Sequence, residues 1–530
     1  MKILVAEPVA PAALQLLEAQ SDWEIVISNP KDYAQHLPTT DALLVRSAVK
    51  VTSEVLAKAP RLRVIGRAGV GVDNVDLTAS TRAGVLVMNT PGGNAVSVAE
   101  HTIGFMLCLA RSIPNANVST KAGKWEKKKY MGTEVRGKTL GVVGLGSIGR
   151  EVIKRAGPFE MRILAYDPYV SSQTASDMGV DLVDLKTLLA QSDYITLHMA
   201  LTHETERMLN ADAFAIMKKG VRIINCARGE LVDAQALNDA MTSGKVDGAA
   251  LDVFDPEPPP ADLPILSQEN LIATPHIGGS TEEAQEIVGI RIVEQMIAYL
   301  RDGIALNAVN LPAVMPEQYR EIAPYMNLAE RLGNFASHVS TGNPKSVRLT
   351  YFGRIAEKNT NLIRNAAIAG VLNPFVSGRA NLVNSMPLAS ERGWSVEERH
   401  EKRAAYVDSI LLELETDSGR HSVEGAVVLD RPRLVTIDGI PIEVPLEGHL
   451  TFLRNDDVPG VIGHVGGVLG SNGINIANFS LGRSQTRPAE DMPFEAVSVV
   501  ETDQAVPDPV LVALLENQAI KMARPVEFIG

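Results

Sequence analysis

The chain has 530 residues, enough for roughly three or four domains, and 45% of them are hydrophobic against 21% charged, which excludes a disordered or fibrous protein. Lysine and arginine total 50 against 63 aspartate and glutamate, a net charge of −13. An acidic chain of this kind carries no general electrostatic footprint for nucleic acid or anionic lipid, so an anionic ligand must be met by locally placed arginines.

At the N-terminus KILVA runs straight into Glu7 and Pro8, too short for the apolar core of a signal peptide. Apolar runs at 3–6, 24–27, 42–45, 63–65 and 85–88 alternate with helical segments, the rhythm of βα units and a parallel sheet. Arg46 and Arg67 stand just beyond two of these strands, where ligands bind in open α/β sheets. They read equally as anion-gripping groups and as solvated or paired side chains. A long buried helix at 95–109 leads into a second α/β unit. Its run 103–110 is uncharged for eight residues, against about 20 needed to span a bilayer. The basic patch at Lys121, Lys124 and 127–129 reads as a solvated face. Cys108 and Cys226 have neither C-x-x-C pairing nor framework spacing, which points to a reducing compartment and a soluble cytoplasmic protein.

Residues 139–143 form a short buried strand, followed by Gly144, Gly146 and Gly149 at the spacing G-x-G-x-x-G and then by a helical segment. The order has a chemical reason. The first glycine permits a tight turn, the second lets backbone approach a pyrophosphate, and the third lets helix pack on strand, so that unpaired helix N–H groups face the phosphates. Further strands at 162–166, 194–197, 222–225, 249–253 and 271–273 make a second parallel sheet. Ser280-Thr281-Glu282-Glu283 reads as a capping box with Ser280 as the cap, opening a helix to about 300 that returns to the first domain. Pro312, Pro316 and Pro324 mark a boundary; beyond it come a helical stripe from Leu328 to Val339, a strand at 346–351 and a mixed domain to 447. The tail reads βαββαβ, the ferredoxin-like order.

Asp167 ends the strand after the glycine turn, 18 residues past Gly149. A carboxylate there accepts hydrogen bonds from a ribose and repels a 2′-phosphate, which favours NAD over NADP; the alternative is a simple turn with Pro168. Three later strand ends carry Arg228, the pair Asp252 and Glu257, and His276. Together they supply an arginine for an α-hydroxy or α-keto carboxylate, a histidine to exchange the hydroxyl proton and a carboxylate to orient it, which specifies a dehydrogenase. There is no H-E-x-x-H and no Cys/His cluster, so no metal is expected.

GRAGVGVDNVD at 66–76, the glycine motif, NCARGE, ALDVFDPEP and TPHIGGST together resemble the D-2-hydroxyacid dehydrogenases over about 1–310. VMNTPGGNAVSVAEH and GKWEKKKYMGTEVRGKTLGVVGLG are similar to the branch that oxidises 3-phospho-D-glycerate. The tail RNDDVPGVIGHVGGVLGSNGINIANFSLGR resembles an ACT domain, and NLVNSMPLASERGWSVEE resembles the intervening domain of the long form. The resemblance implies two Rossmann-like doubly wound domains, then a mixed α/β intervening domain and the ferredoxin-like ACT domain. Substrate domain 1–98 with 285–312, NAD domain 99–284, intervening domain 313–447 and ACT domain 448–530 are the expected divisions.

It also implies roles. Arg228 binds the substrate carboxylate, Glu257 orients His276, and His276 is the acid and base. Ser147 and Ile148 lie on the pyrophosphate and Asp167 on the adenosine ribose. Cys226 and Ala227 lie beside the nicotinamide half, Asp252 on its carboxamide, and Val70 and Met199 along the cofactor. Arg46 and Arg67 hold the 3-phosphate. The reaction would yield 3-phosphohydroxypyruvate, the first step of L-serine biosynthesis, in a homodimer or homotetramer with no nucleic-acid or membrane partner. Asp457 and Asn475 match positions where such tails meet serine, although Asp457 also reads as a helix cap. A reductase for hydroxypyruvate, glyoxylate or D-lactate is the near alternative, against which Arg46 and Arg67 argue; a non-enzymatic NAD-sensing corepressor is the alternative of a different class.

Overall fold

The computed structural model describes residues 1–376, 380–401, 407–487, 489 and 492–528. The early apolar runs form a five-stranded parallel sheet in the order Glu24–Ile27, Lys2–Val5, Ala42–Val45, Val64–Arg67, Leu86–Met88. Strand Ala42–Val45 is buried at every position, as the middle of a sheet covered on both faces requires. Val45 pairs with Arg67, so Arg46 and Arg67 leave neighbouring strands at the same sheet edge.

The second sheet has seven parallel strands in the order Leu271–Ala273, Val246–Leu251, Val221–Asn225, Tyr194–Leu197, Thr139–Val143, Arg162–Tyr166, Asp181–Leu182. The strand order reverses between Thr139–Val143 and Tyr194–Leu197. The glycine turn therefore opens at the crevice where ligands bind in doubly wound sheets.

Two long helices join these domains. Ala95–Arg111 is buried along much of its length, and Glu282–Asp302 lies on the first sheet, close enough that a Cβ on Gly66 would meet the Met296 sulfur at 2.2 Å. The cap of Glu282–Asp302 differs from the expected Ser280: Thr281 Oγ1 accepts from Ala284 N at 3.1 Å, while the Ser280 amide donates to Ile277 O inside the turn that follows His276. That turn consumes Ser280, so the helix begins one residue later. Among the described residues no single helix is long and apolar enough to cross a membrane, although Ala95–Arg111 with Ile113–Lys121 passes by length and composition as a pair bent by 63°. We propose the division 1–98 with 285–312, 99–284, 313–447 and 448–530; the boundaries at 98 and 284 fall within the two joining helices.

Beyond the joint, strand Ser395–Glu401 runs parallel to Pro344–Phe352, and the sheet continues antiparallel through Ser409–Thr416, Arg420–Val428, Arg431–Ile437 and Ile440–Pro445. Helices Pro316–Val339 and Asn361–Leu372 touch backbone to backbone at two glycines. A Cβ on Gly333 would lie 2.2 Å from Ala367 O, and one on Gly370 would lie 2.0 Å from Glu330 O. Gly333→Ala is expected to destabilise this domain by about 1–3 kcal/mol through overpacking. An unchanged denaturant midpoint would contradict that close approach.

The last sheet has the order Ile476–Arg483, Glu495–Thr502, Gly448–Asp456, Ile520–Phe528, and its helices complete the βαββαβ pattern. Its inner face shares a core with the preceding domain: Phe452 meets Phe335 of Pro316–Val339 edge to face at 5.9 Å, and Leu450, Val497 and Val526 join Leu434 and Val444.

Candidate active site

The turn after Thr139–Val143 shows why each glycine is there. Gly144 has φ +102°, and a Cβ on it would fall 2.6 Å from His198 O. A Cβ on Gly149 would fall 2.0 Å from Gly144 O, so this glycine brings the helix onto the turn. Around Gly146 there is no atom within 4 Å of a Cβ position, and helix Ser147–Ala156 starts there without a side-chain cap. An open cradle and uncapped helix N–H groups fit a dinucleotide pyrophosphate. Asp167 stands at the rim, where Oδ2 accepts from Leu145 N at 2.8 Å and Oδ1 from Tyr169 N at 2.9 Å. Both bonds fix the carboxylate and leave each oxygen a second lone pair for a ribose.

In front of this turn lies a cleft of about 460 Å³ between the two parallel-sheet domains. Ser147, Ile148 and Met199 line its cofactor side, Val70 and Arg67 its opposite side, and Cys226, Ala227, Arg228, Asp252 and His276 its floor. Gly144 and Gly149 support the turn from beneath. Burial pushes the Cys226 thiol up to about 12, so it stays protonated and serves as a small apolar wall.

His276 Nδ1 and Glu257 Oε2 are 2.8 Å apart, and Glu257 Oε1 accepts from Phe254 N at 3.0 Å. With Nδ1 engaged, Nε2 is the nitrogen left for a substrate. His276 has φ +53°, in the left-handed region, and Asp252 holds it there. His276 N donates to Asp252 O at 2.8 Å, and the Asp252 carboxylate accepts from Ile277 N at 2.8 Å, Gly278 N at 2.7 Å and Thr274 Oγ1. Burial opposes the charge on Asp252, but these hydrogen bonds and His101 outweigh it and keep its pKa below the ordinary value. Asp252 is 1% exposed and its oxygens are committed to this loop.

Arg228 Nη1 donates to Ala227 O at 2.7 Å, and Nη2 lies 3.0 Å from Asp73 Oδ2 across the cleft. Burial pushes the Arg67 guanidinium below its ordinary value while Asp73 pulls it back up, and the Arg67 Nε is buried without a hydrogen-bond partner. Arg46 is outside the cleft lining; its amide donates to Glu7 Oε1 at 2.9 Å and its Nη1 to Pro8 O at 3.1 Å. Asp73, His101 and Thr274 were not singled out by the sequence reading. For Asp73 the signal was present, as the first of two carboxylates in the 66–76 motif, six residues after Arg67.

His198, beside the glycine turn, has its Nε2 2.9 Å from Thr196 Oγ1, and its Nδ1 is buried without a partner. Burial takes its pKa from 6.5 to about 3. Between those values the unfolded chain takes up a proton that the folded chain does not, so stability falls as pH drops below about 6.5, by up to about 1.4 kcal/mol per pH unit. His198→Gln is expected to flatten that dependence, as read by denaturant midpoints at pH 7, 6 and 5.

The two tail positions are not brought together. Asp457 Oδ2 pairs with Arg483 Nε at 2.5 Å at one end of strand Ile476–Arg483, while Asn475 Nδ2 donates to Asp503 Oδ2 at 2.8 Å at the other. An eight-residue strand separates them, roughly 26 Å at about 3.3 Å per residue. Nor is Asp457 a helix cap: Gly460, at φ +98°, is the N-cap of Val461–Ser471. Among the described residues no group of three or more His, Cys, Asp or Glu side chains is arranged to hold a metal ion.

Residues 103–278 match the model of the D-isomer specific 2-hydroxyacid dehydrogenase, NAD binding domain, the class that this fold and cleft define. Residues 321–438 match the D-3-phosphoglycerate dehydrogenase intervening domain and 449–516 the ACT domain. The D-3-phosphoglycerate dehydrogenase of Methanocaldococcus jannaschii is 42% identical over 98% of this chain and 98% of its own length. That of Bacillus subtilis is 39% identical over 96% of each. The chain belongs to the D-3-phosphoglycerate dehydrogenase family. A D-lactate dehydrogenase from Aquifex aeolicus, complexed with NAD and lactic acid, superposes with a TM-score of 0.52 at 30% identity, covering 59% of this chain and 100% of that one. The chain is an oxidoreductase and its cofactor is NAD.

Proposed function

We propose that this enzyme oxidises 3-phospho-D-glycerate to 3-phosphohydroxypyruvate, the first step of L-serine biosynthesis. The observation that carries the reading is the placing of Arg67 in the cleft wall opposite Arg228, with Arg46 at the neighbouring strand end just outside the lining. A substrate with a carboxylate at one end and a phosphate at the other needs cations on both sides of the cleft. NAD, when bound, supplies the hydride acceptor. Gly146, Ser147 and Ile148 would hold its pyrophosphate and Asp167 its ribose. Arg228 anchors the substrate carboxylate and orients C2. His276 Nε2 takes the C2 hydroxyl proton, and Glu257 on Nδ1 stabilises the imidazolium that forms. In the reverse direction the protonated histidine returns it. Asp252 acts by fixing the His276 loop, which supports a positioning role and leaves its carboxylate little capacity for a carboxamide.

L-Serine as a feedback effector, a homodimer or homotetramer, and a cytoplasmic location belong to the same proposal. The opposite placement of Asp457 and Asn475 supports an effector site shared between two copies, each giving one end of its sheet. The free thiols of Cys108 and Cys226 support a reducing compartment.

The test is NAD-linked oxidation of 3-phosphoglycerate, D-glycerate and D-lactate, with and without L-serine. Marked preference for phosphoglycerate is expected. Equal rates on all three would replace this reading with that of a general 2-hydroxyacid reductase.

A further inference from the structure

Asp73 lies on the loop after strand Val64–Arg67, in the substrate domain, and Arg228 lies on the loop after Val221–Asn225, in the cofactor domain. Their ion pair at 3.0 Å therefore bridges the cleft. Gly71 lies against the pair: a Cβ there would fall 2.2 Å from Arg228 Nη2 and 2.7 Å from Asp73 Oδ2, so a larger residue would push the ends of both side chains aside. Asp73 is also the main anionic counterweight to Arg67, which Arg228 and Arg46 oppose.

The two partners are held very differently. The Asp73 side chain is 68% exposed and that of Arg228 27%. An exposed carboxylate gives up an ion pair at small cost. Arg228 keeps its bond from Nη1 to Ala227 O without Asp73, so the guanidinium stays aimed at the cleft. The Arg67 Nε, buried with no hydrogen-bond partner, belongs to a side chain that lines the same cleft.

We propose that Asp73 is a positioning residue that occupies the carboxylate place on Arg228 in the substrate-free enzyme and is displaced from Nη2 when a substrate carboxylate arrives. The exchange of one carboxylate for another leaves the arginine paired throughout. It offsets the repulsion of Arg67 by Arg228 and Arg46, and it weakens binding of every carboxylate substrate by the same factor. This inference rests on the reading of Arg228 as the carboxylate anchor, and it deepens that reading.

The experiment compares wild type, Asp73→Asn and Asp73→Glu in steady-state oxidation of 3-phosphoglycerate and of D-glycerate. Asp73→Asn is expected to lower KM for both substrates about five-fold, with kcat little changed, and Asp73→Glu to restore the wild-type KM. A KM that is unchanged or raised in Asp73→Asn, or a collapse of kcat, would overturn the exchange. Oxalate binding to the NADH-loaded enzyme reads the same competition without turnover and should tighten by the same factor. If wild type oxidises D-glycerate but not phosphoglycerate, the phosphate assignment fails while the exchange is still decided on D-glycerate and oxalate.

Discussion

His276→Asn should lower kcat for phosphoglycerate oxidation by about 10³-fold, within the usual range for losing a general acid–base group. Asparagine is chosen because His276 has φ +53°, a conformation that asparagine adopts readily and most side chains do not. The Asp252 clamp on the loop then survives, since it grips the backbone of residues 276–278 and not the imidazole. NADH affinity, measured by fluorescence, should stay near wild type. A variant that turns over at the wild-type rate would move the acid–base role elsewhere.

Arg228→Gln should lower kcat/KM by about 10²- to 10³-fold, the scale of truncating one partner of a hydrogen-bonded charge pair. Arg228→Lys should recover only part of this, because the guanidinium presents two ends, one already spent on Ala227 O and one facing across the cleft. Stopped-flow binding and steady-state rates separate the contributions. Full activity with lysine would mean that charge alone matters and that the fork geometry does not.

The sequence made the cofactor half of the site legible because its chemistry is local. Gly144, Gly146 and Gly149 stand within one turn, and each has a steric reason that spacing alone expresses. The parallel sheets were legible for a similar reason, as short apolar runs repeating between helical stretches. What escaped depends on contacts between distant segments. The Asp73 carboxylate means little until strand Val64–Arg67 is set opposite the loop carrying Arg228, and His101 means little until it lies beside Asp252 and Thr274. The helix cap was misplaced by one residue because Ser280 and Thr281 are chemically alike, and only the turn after His276 decides between them.

The core shared by Phe335 and Phe452 bears on how shortened forms of this enzyme should be made. Cutting the chain at 447 would strip the cover from Leu434, Val444 and Phe335 and leave an adhesive apolar face. Cutting ahead of Pro316 removes both C-terminal modules together, and uncovers the first domain only where Val383 enters its core and where Asn381 and Tyr319 donate to Gly84 O and Gly303 O. The intervening and ACT domains thus hold together as one body, and a shortened form is better sought by removing both than by trimming the tail.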